Sequence, residues 1–287
     1  MLPLALDHTS CPPDADDAAL ADQLWRRVRG EAEAAFGHAP MLAPLFLDSI
    51  LSQASFEAAV FHRVAARLKN DVVSLYLILQ AFHRAHAADP AIGAALKADI
   101  TAVLEHDPAC GRIVEPFLYF KGFHAIQAYR LTNWLWHNGE RDFALYLQSR
   151  SSEVFQTDIH PAARLGRGLF LDHATGLVVG ATAVIEDGVS LLQNITLGSL
   201  SRGTGERDPK LRRGAMIGAG AKILGNIEVG EHARIAASSV VLDPVPPYAT
   251  VAGVPARVVR IGGPHEPARA VSEILSDLSY ETFAWTI

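Results

Sequence analysis

Only two cysteines, Cys11 and Cys110, occur in 287 residues. Two lone thiols exclude a disulfide scaffold and fit a reducing compartment. Long apolar runs are also missing. The longest, Val72 to Phe82, carries Ser74 and Gln80 and falls far short of the roughly 20 residues needed to span a bilayer. The opening MLPLALDHTS has no basic n-region and meets an aspartate early, so no signal peptide is expected and the cytoplasm is the expected location. Positive charge is scarce as well. A net charge of −6 and a pI near 6.0 leave no basic field for nucleic acid or an anionic membrane. With 22 Gly and 16 Pro, the chain is neither collagen-like nor of low complexity. What remains, 49% hydrophobic and 20% charged, is a globular composition with length for one large or two ordinary domains.

Two periodicities divide the chain near residue 157. Before it, apolar residues recur at helical spacing: Leu20, Leu24 and Val28 after an Asp-rich start, then Phe56, Val60, Val64 and Leu68, then Leu75, Leu79 and Phe82. Pro90 to Asp107 reads as a fourth helix, ended by Pro108. Phe117 to Phe155 is nearly continuous helical pattern, broken at Asn138 and Gly139. Its aromatic stripe of Trp134, Trp136, Phe143 and Tyr146 is expected to pack a core rather than hold a cofactor. The His83–His86 pair is expected to face solvent.

After residue 157, branched residues stand six apart: Ile159, Leu165, Leu171, then, after a two-residue slip, Val179, Ile185, Leu191 and Leu197. A polar, Gly- and Arg-rich excursion is expected from Ser199 to Arg213, after which Ile217, Ile223, Val229, Ile235 and Val241 resume the count. A helix repeats every 3.6 residues and a strand every 2, so a sustained period of six belongs to neither. It fits a coil of very short strands with one inward residue per flat face, each coil stacked on the last.

The strings IHPAARLGRGLFLDHATGLVVGATAVIEDGVSLLQNITLG, PKLRRGAMIGAGAKILGNIEVG and VAGVPARVV resemble bacterial serine O-acetyltransferases, and DPACGRIVEPFLYFKGFHAIQAYRLTNWLWHNG extends the likeness upstream. LDHATG and KGFHAIQAYR carry most of its specificity. The resemblance implies an α+β chain with a helical oligomerisation domain at 1–156. A left-handed parallel β-helix of hexapeptide repeats with an extended loop follows at 157–262, and a flexible tail at 263–287. Three β-helices would pack as a trimer, and two trimers as a hexamer. The implied reaction moves acetyl from acetyl-coenzyme A to the serine hydroxyl, a step of cysteine biosynthesis, with no metal.

Acyl transfer to an alcohol needs a base, because an unassisted hydroxyl is a poor nucleophile at neutral pH. The resemblance assigns that role to His173 of LDHATG, at the first phase slip, and gives it Asp158 as partner on the other ring nitrogen. It assigns Arg207 to the substrate carboxylate, and Asp107 and Asp172 to its ammonium. Gly198 is the candidate oxyanion donor beside the thioester, and Gly218, Ala219, Lys222 and Arg257 are the candidate coenzyme A contacts. One position departs from the family. Asp208 stands where a histidine usually follows the arginine. Either Asp208 turns away to pair with Arg207 or Arg213, or the acceptor is another hydroxy amino acid such as homoserine.

Two rival readings stay open on sequence. His160, His173 and His232 could hold zinc between subunits of a β-helix trimer. Alternatively the chain is a non-catalytic scaffold, with Asp208 marking lost activity. The terminal Ile287 offers an apolar side chain and a carboxylate in one residue, and the resemblance implies that it docks into O-acetylserine sulfhydrylase.

Overall fold

The computed structural model describes residues 15–200 and 205–263. Eight α-helices come first: α1 (Ala15–His38), α2 (Ala43–Phe46), α3 (Phe56–Leu68), α4 (Leu75–Ala88), α5 (Ala91–His106), α6 (Val114–Leu118), α7 (Lys121–His137) and α8 (Arg141–Phe155). Ser55 caps α3 by accepting from the Ala58 N–H, and Ser74 does the same for α4 through Leu77. The expected break falls at Asn138, with Gly139 at φ +85°. Leu24, Val28, Phe56, Val60, Val64, Leu68 and Phe82 are buried as the spacing predicts, and Phe61 stacks on Phe82. The four aromatics of the stripe pack partly buried against this core. Among the described residues no helix is long and apolar enough to cross a membrane.

Strands take over at residue 157 and wind into coils of three. The first coil is β1 (Thr157–Ile159), β2 (Arg164–Leu165) and β3 (Phe170–Leu171). The second is β4 (Leu177–Val179), β5 (Val184–Ile185) and β6 (Ser190–Leu191). The third is β7 (Thr196–Gly198), β8 (Lys210–Leu211) and β9 (Met216–Ile217), and the fourth β10 (Lys222–Leu224), β11 (Glu228–Val229) and β12 (Arg234–Ile235). β13 (Val240–Val241) and β14 (Ala249–Gly253) make the last, and β15 (Ala256–Ile261) folds back antiparallel on β14. Like strands stack in parallel into three faces: β1-β4-β7-β10-β13, β2-β5-β8-β11 and β3-β6-β9-β12-β14. This is the expected parallel β-helix. Its inward anchors are buried, except Leu165, which is partly so.

One local expectation changes. The excursion ends earlier than Arg213, because β8 resumes the repeat and Leu211 is fully buried six residues before Ile217. At the slip, Ala174 is the buried residue and Thr175 is exposed.

Helix α7 joins the halves. Ile126 and Tyr129 belong to the β-helix core, and the Tyr129 hydroxyl donates to Ala163 O at 2.6 Å. Arg130 forms a bidentate ion pair with the fully buried Asp99 of α5, at 2.7–2.9 Å, and also donates to Gly166 O. Asp99 further accepts from Gln127 and from the Leu169 N–H. Gly122 lies so close on Leu171 that a Cβ there would strike its carbonyl. The KGFHAIQAYR string is therefore the seam between helices and β-helix.

Candidate active site

The β-helix has three corners, and the site residues gather at two. The corner between the third face and the first carries His173 between β3 and β4. His173 and Ala174 are consecutive left-handed residues, at φ +54° and +59°. That conformation costs a non-glycine residue about 1–2 kcal/mol, so surrounding contacts must hold it. The Asn194 N–H donates to Thr175 O at 2.7 Å and the Gly176 N–H to Gln156 O at 2.8 Å. The Lys121 ammonium, from the start of α7, bonds Thr175 Oγ1 and Gln156 Oε1. Lys121 was not anticipated from the sequence, though it opens the string that carried the resemblance.

The His173 side chain is 74% exposed, with its Nε2 3.7 Å from Asp172 Oδ1. Asp172 is half-buried, and burial together with the neighbouring Asp107 raises its carboxyl pKa, against the opposing effect of His173. Asp107 caps the C-terminus of α5, where one carboxylate oxygen accepts from the Ala109 N–H. Two carboxylates beside one another, one of them desolvated, make a seat whose electrostatic strain an ammonium relieves. Further along this edge the corners stack: the Gly220 N–H donates to Gln193 O and the Ser238 N–H to Ala219 O. Gly218, Ala219 and Lys222 lie there, in line with His173, and the Lys222 ammonium reaches Asn194 O at 2.6 Å. Gly218 has no room for a side chain, since a Cβ would meet Ala237 N at 2.6 Å. The edge thus sets a cation, Lys222, on closely stacked backbone, and a cation suits a phosphate-bearing ligand. Arg257 stands apart on β15, exposed and 3.6 Å from Asp243.

The first face and its corner with the second carry the other residues. Asp158 on β1 is exposed and accepts from Gln148 at 2.6 Å. No hydrogen bond or ion pair joins it to His173 among the described residues. His160 stands edge-on to Trp136, and its Nδ1 accepts from the Ala162 N–H, fixing the neutral tautomer with hydrogen on Nε2. Burial lowers its pKa, opposed by Asp158 and helped by Arg207. Gly198 ends β7 here. Asp208 is buried and turned onto Thr182, whose N–H and hydroxyl both donate to it. It pairs with neither Arg207 nor Arg213 among the described residues. Within one chain, His173, Asp172 and Asp107 therefore gather at one edge and Arg207 at another, with Asp158 on the face between them. The third corner holds His232, so the three histidines of the zinc reading lie on three different corners and do not meet within a chain.

Known proteins share this sequence and fold. Residues 24–128 match the family model described as serine acetyltransferase, N-terminal, and residues 208–243 match bacterial transferase hexapeptide (six repeats). The serine acetyltransferase of Salmonella typhimurium is 47% identical over 262 residues, covering 91% of this chain and 96% of that protein. The crystal structure of serine acetyltransferase from Brucella abortus in complex with coenzyme A is 54% identical with a TM-score of 0.84, covering 86% of this chain and 98% of that one. The Neisseria gonorrhoeae enzyme in complex with serine is 46% identical with a TM-score of 0.80, over 82% of this chain and 96% of that one. With helices, β-helix and relatives in agreement over most of its length, the chain belongs to the serine acetyltransferase family.

Proposed function

We propose that this chain transfers acetyl from acetyl-coenzyme A to the hydroxyl of L-serine, with His173 as general base. The observation that carries the reading is the pair of half-exposed carboxylates, Asp107 and Asp172, beside an exposed imidazole on one edge of the β-helix. His173 takes the serine hydroxyl proton as the oxygen attacks the thioester carbonyl. The tetrahedral oxyanion is met by a backbone N–H, for which Gly198 is the candidate. The intermediate collapses, the C–S bond breaks, and the imidazolium returns its proton to the leaving coenzyme A thiolate. No acyl-enzyme is needed. Asp107 and Asp172 hold the ammonium, Arg207 the carboxylate, and Gly218, Ala219, Lys222 and Arg257 the donor.

The separation of His173 from Asp158 and Arg207 supports a site shared between copies, in which one subunit's base meets its neighbour's Asp158 and Arg207. A closed homotrimer gives every base such a partner; a hexamer would add contacts through residues 1–156, with catalysis in 157–262. Cytoplasmic location fits the two cysteines. Residues 264–287, including Ile287, lie outside the described residues; docking of this tail into O-acetylserine sulfhydrylase rests on its sequence alone. Asp208 does not argue for another acceptor, because its carboxylate is spent on Thr182 rather than aimed at a substrate.

The test is thiol release from acetyl-coenzyme A with serine, homoserine and other hydroxy amino acids offered separately. Serine is expected to be preferred. Preference for homoserine would overturn the acceptor, and no turnover with any of them would overturn catalysis.

A further inference from the structure

Thr182 is a corner residue of the second coil that neither motif nor spacing singles out, yet it carries five hydrogen bonds to the segment containing Arg207. Its N–H donates to Asp208 Oδ2 at 2.9 Å and its hydroxyl to the same oxygen at 2.7 Å. Its hydroxyl oxygen accepts from the backbone N–H of Arg207 at 3.0 Å and of Asp208 at 2.9 Å. Its carbonyl accepts from the Lys210 ammonium at 2.6 Å, which also bonds Asp208 O at 3.0 Å. The neighbouring Gly180 leaves the space the carboxylate fills, since a Cβ there would lie 2.5 Å from Asp208 Oδ1.

This cluster stands where the chain returns from its excursion into β8, the one coil interrupted by an insertion. Elsewhere a corner is set by a few residues between strands stacked on both sides. Here the returning limb has no such constraint of length, and Arg207 lies in it. We infer that Thr182 and Asp208 form an anchor that sets the position of Arg207, with Thr182 as the positioning residue and Asp208 as the acid that seals the corner. The inference rests on the proposed role of Arg207 in holding the substrate carboxylate. Of the two alternatives left open for Asp208, the carboxylate takes the first in part: it turns away, but onto Thr182 and not onto Arg207 or Arg213.

The experiment compares the full chain with Thr182→Val and Thr182→Ser, measuring steady-state kinetics and hydrogen exchange at the Arg207 and Asp208 amides. Thr182→Val keeps shape but loses the hydroxyl. It should raise the KM for serine about 10-fold and speed exchange at both amides, which lose their acceptor. The kcat at saturating serine and the KM for acetyl-coenzyme A should stay within about 2-fold. Thr182→Ser should restore wild-type values. An unchanged serine KM, or an equal loss in kcat with both KM values, would overturn the inference. Should Thr182→Val fail to fold, Asp208→Asn gives the same reading, with the serine KM raised about 3-fold by the weaker acceptor and unchanged if the anchor is idle. Faster amide exchange with an unchanged serine KM would count against Arg207 as the clamp. Unchanged exchange in folded Thr182→Val would count against the anchor itself.

Discussion

The two edges that carry the site are held in place by different means. The His173 edge is positioned from outside the β-helix, by helices. α5 delivers Asp107, α7 delivers Lys121, and the Asp99–Arg130 pair ties both helices to the turn before β3. The Arg207 edge is positioned from within, by one coil's corner gripping the next through Thr182. A helical domain that merely assembled subunits would leave the His173 turn intact when loosened. One that builds half of the site would not.

The largest effect should come from the base. His173→Ala should lower kcat by about 10²–10⁴ while coenzyme A still binds, read by steady-state turnover and by calorimetry. Near-normal turnover in a correctly assembled variant would remove His173 from the reaction and leave the edge without chemistry.

Next comes the seam. Arg130→Met leaves Asp99 fully buried without its cation, a change worth about 3–5 kcal/mol, seen as a lowered denaturant midpoint. Because α5 then loosens, the serine KM should rise more than the acetyl-coenzyme A KM. The double variant Asp99→Leu with Arg130→Met should recover most of the stability, since an apolar pair costs no ion desolvation. Stability recovered without the serine KM would show that the ion pair sets geometry as well as cohesion. An equal change in both KM values would erase the distinction between the edges.

How far this was legible in the sequence differs along the same line. The β-helix could be read because each face admits one inward residue, which forces a period of six; even Leu211, missed between Lys210 and Arg212, stands on that count. The helices could be read from their apolar stripes. The roles of His173, Asp172, Asp107 and Arg207 came from the family likeness, and nothing in their spacing brings them together. Asp158 and His173 are fifteen residues apart, less than a full coil, so Asp158 lies on a face and His173 at a corner of the same coil. Lys121, Asp99 and Thr182 were illegible for one reason. Their partners lie 54, 31 and 26 residues away, across a seam or a coil that no local pattern encodes.

Lys121 gives the third and smaller test. Lys121→Met removes a clamp on a turn with two left-handed residues and should lower kcat about 10-fold, leaving the acetyl-coenzyme A KM unchanged. Lys121→Arg should keep most of the rate. Wild-type kcat in Lys121→Met would show that the turn is held by Asn194 and Gln156 alone, making this edge as self-supporting as the other.

The smallest effect tests whether α5 brings a charged carboxylate to the edge at all. Cys110 lies three residues beyond Asp107, and burial first, then Glu115 and Asp107, push its thiol up to about 11. Only about 0.1% is then thiolate at pH 8, against about a quarter for an ordinary cysteine, so alkylation in a Cys11→Ser background should be slow by about two orders of magnitude. Raising the thiol pKa withholds the thiolate, so removing a negative neighbour must speed the reaction. Asp107→Asn should therefore raise the alkylation rate several-fold at fixed pH, less than full normalisation because burial is the larger cause. An unchanged rate would mean that Asp107 carries no charge felt at this turn. The ammonium seat would then rest on Asp172 alone, and the helical half would contribute no charge to the substrate.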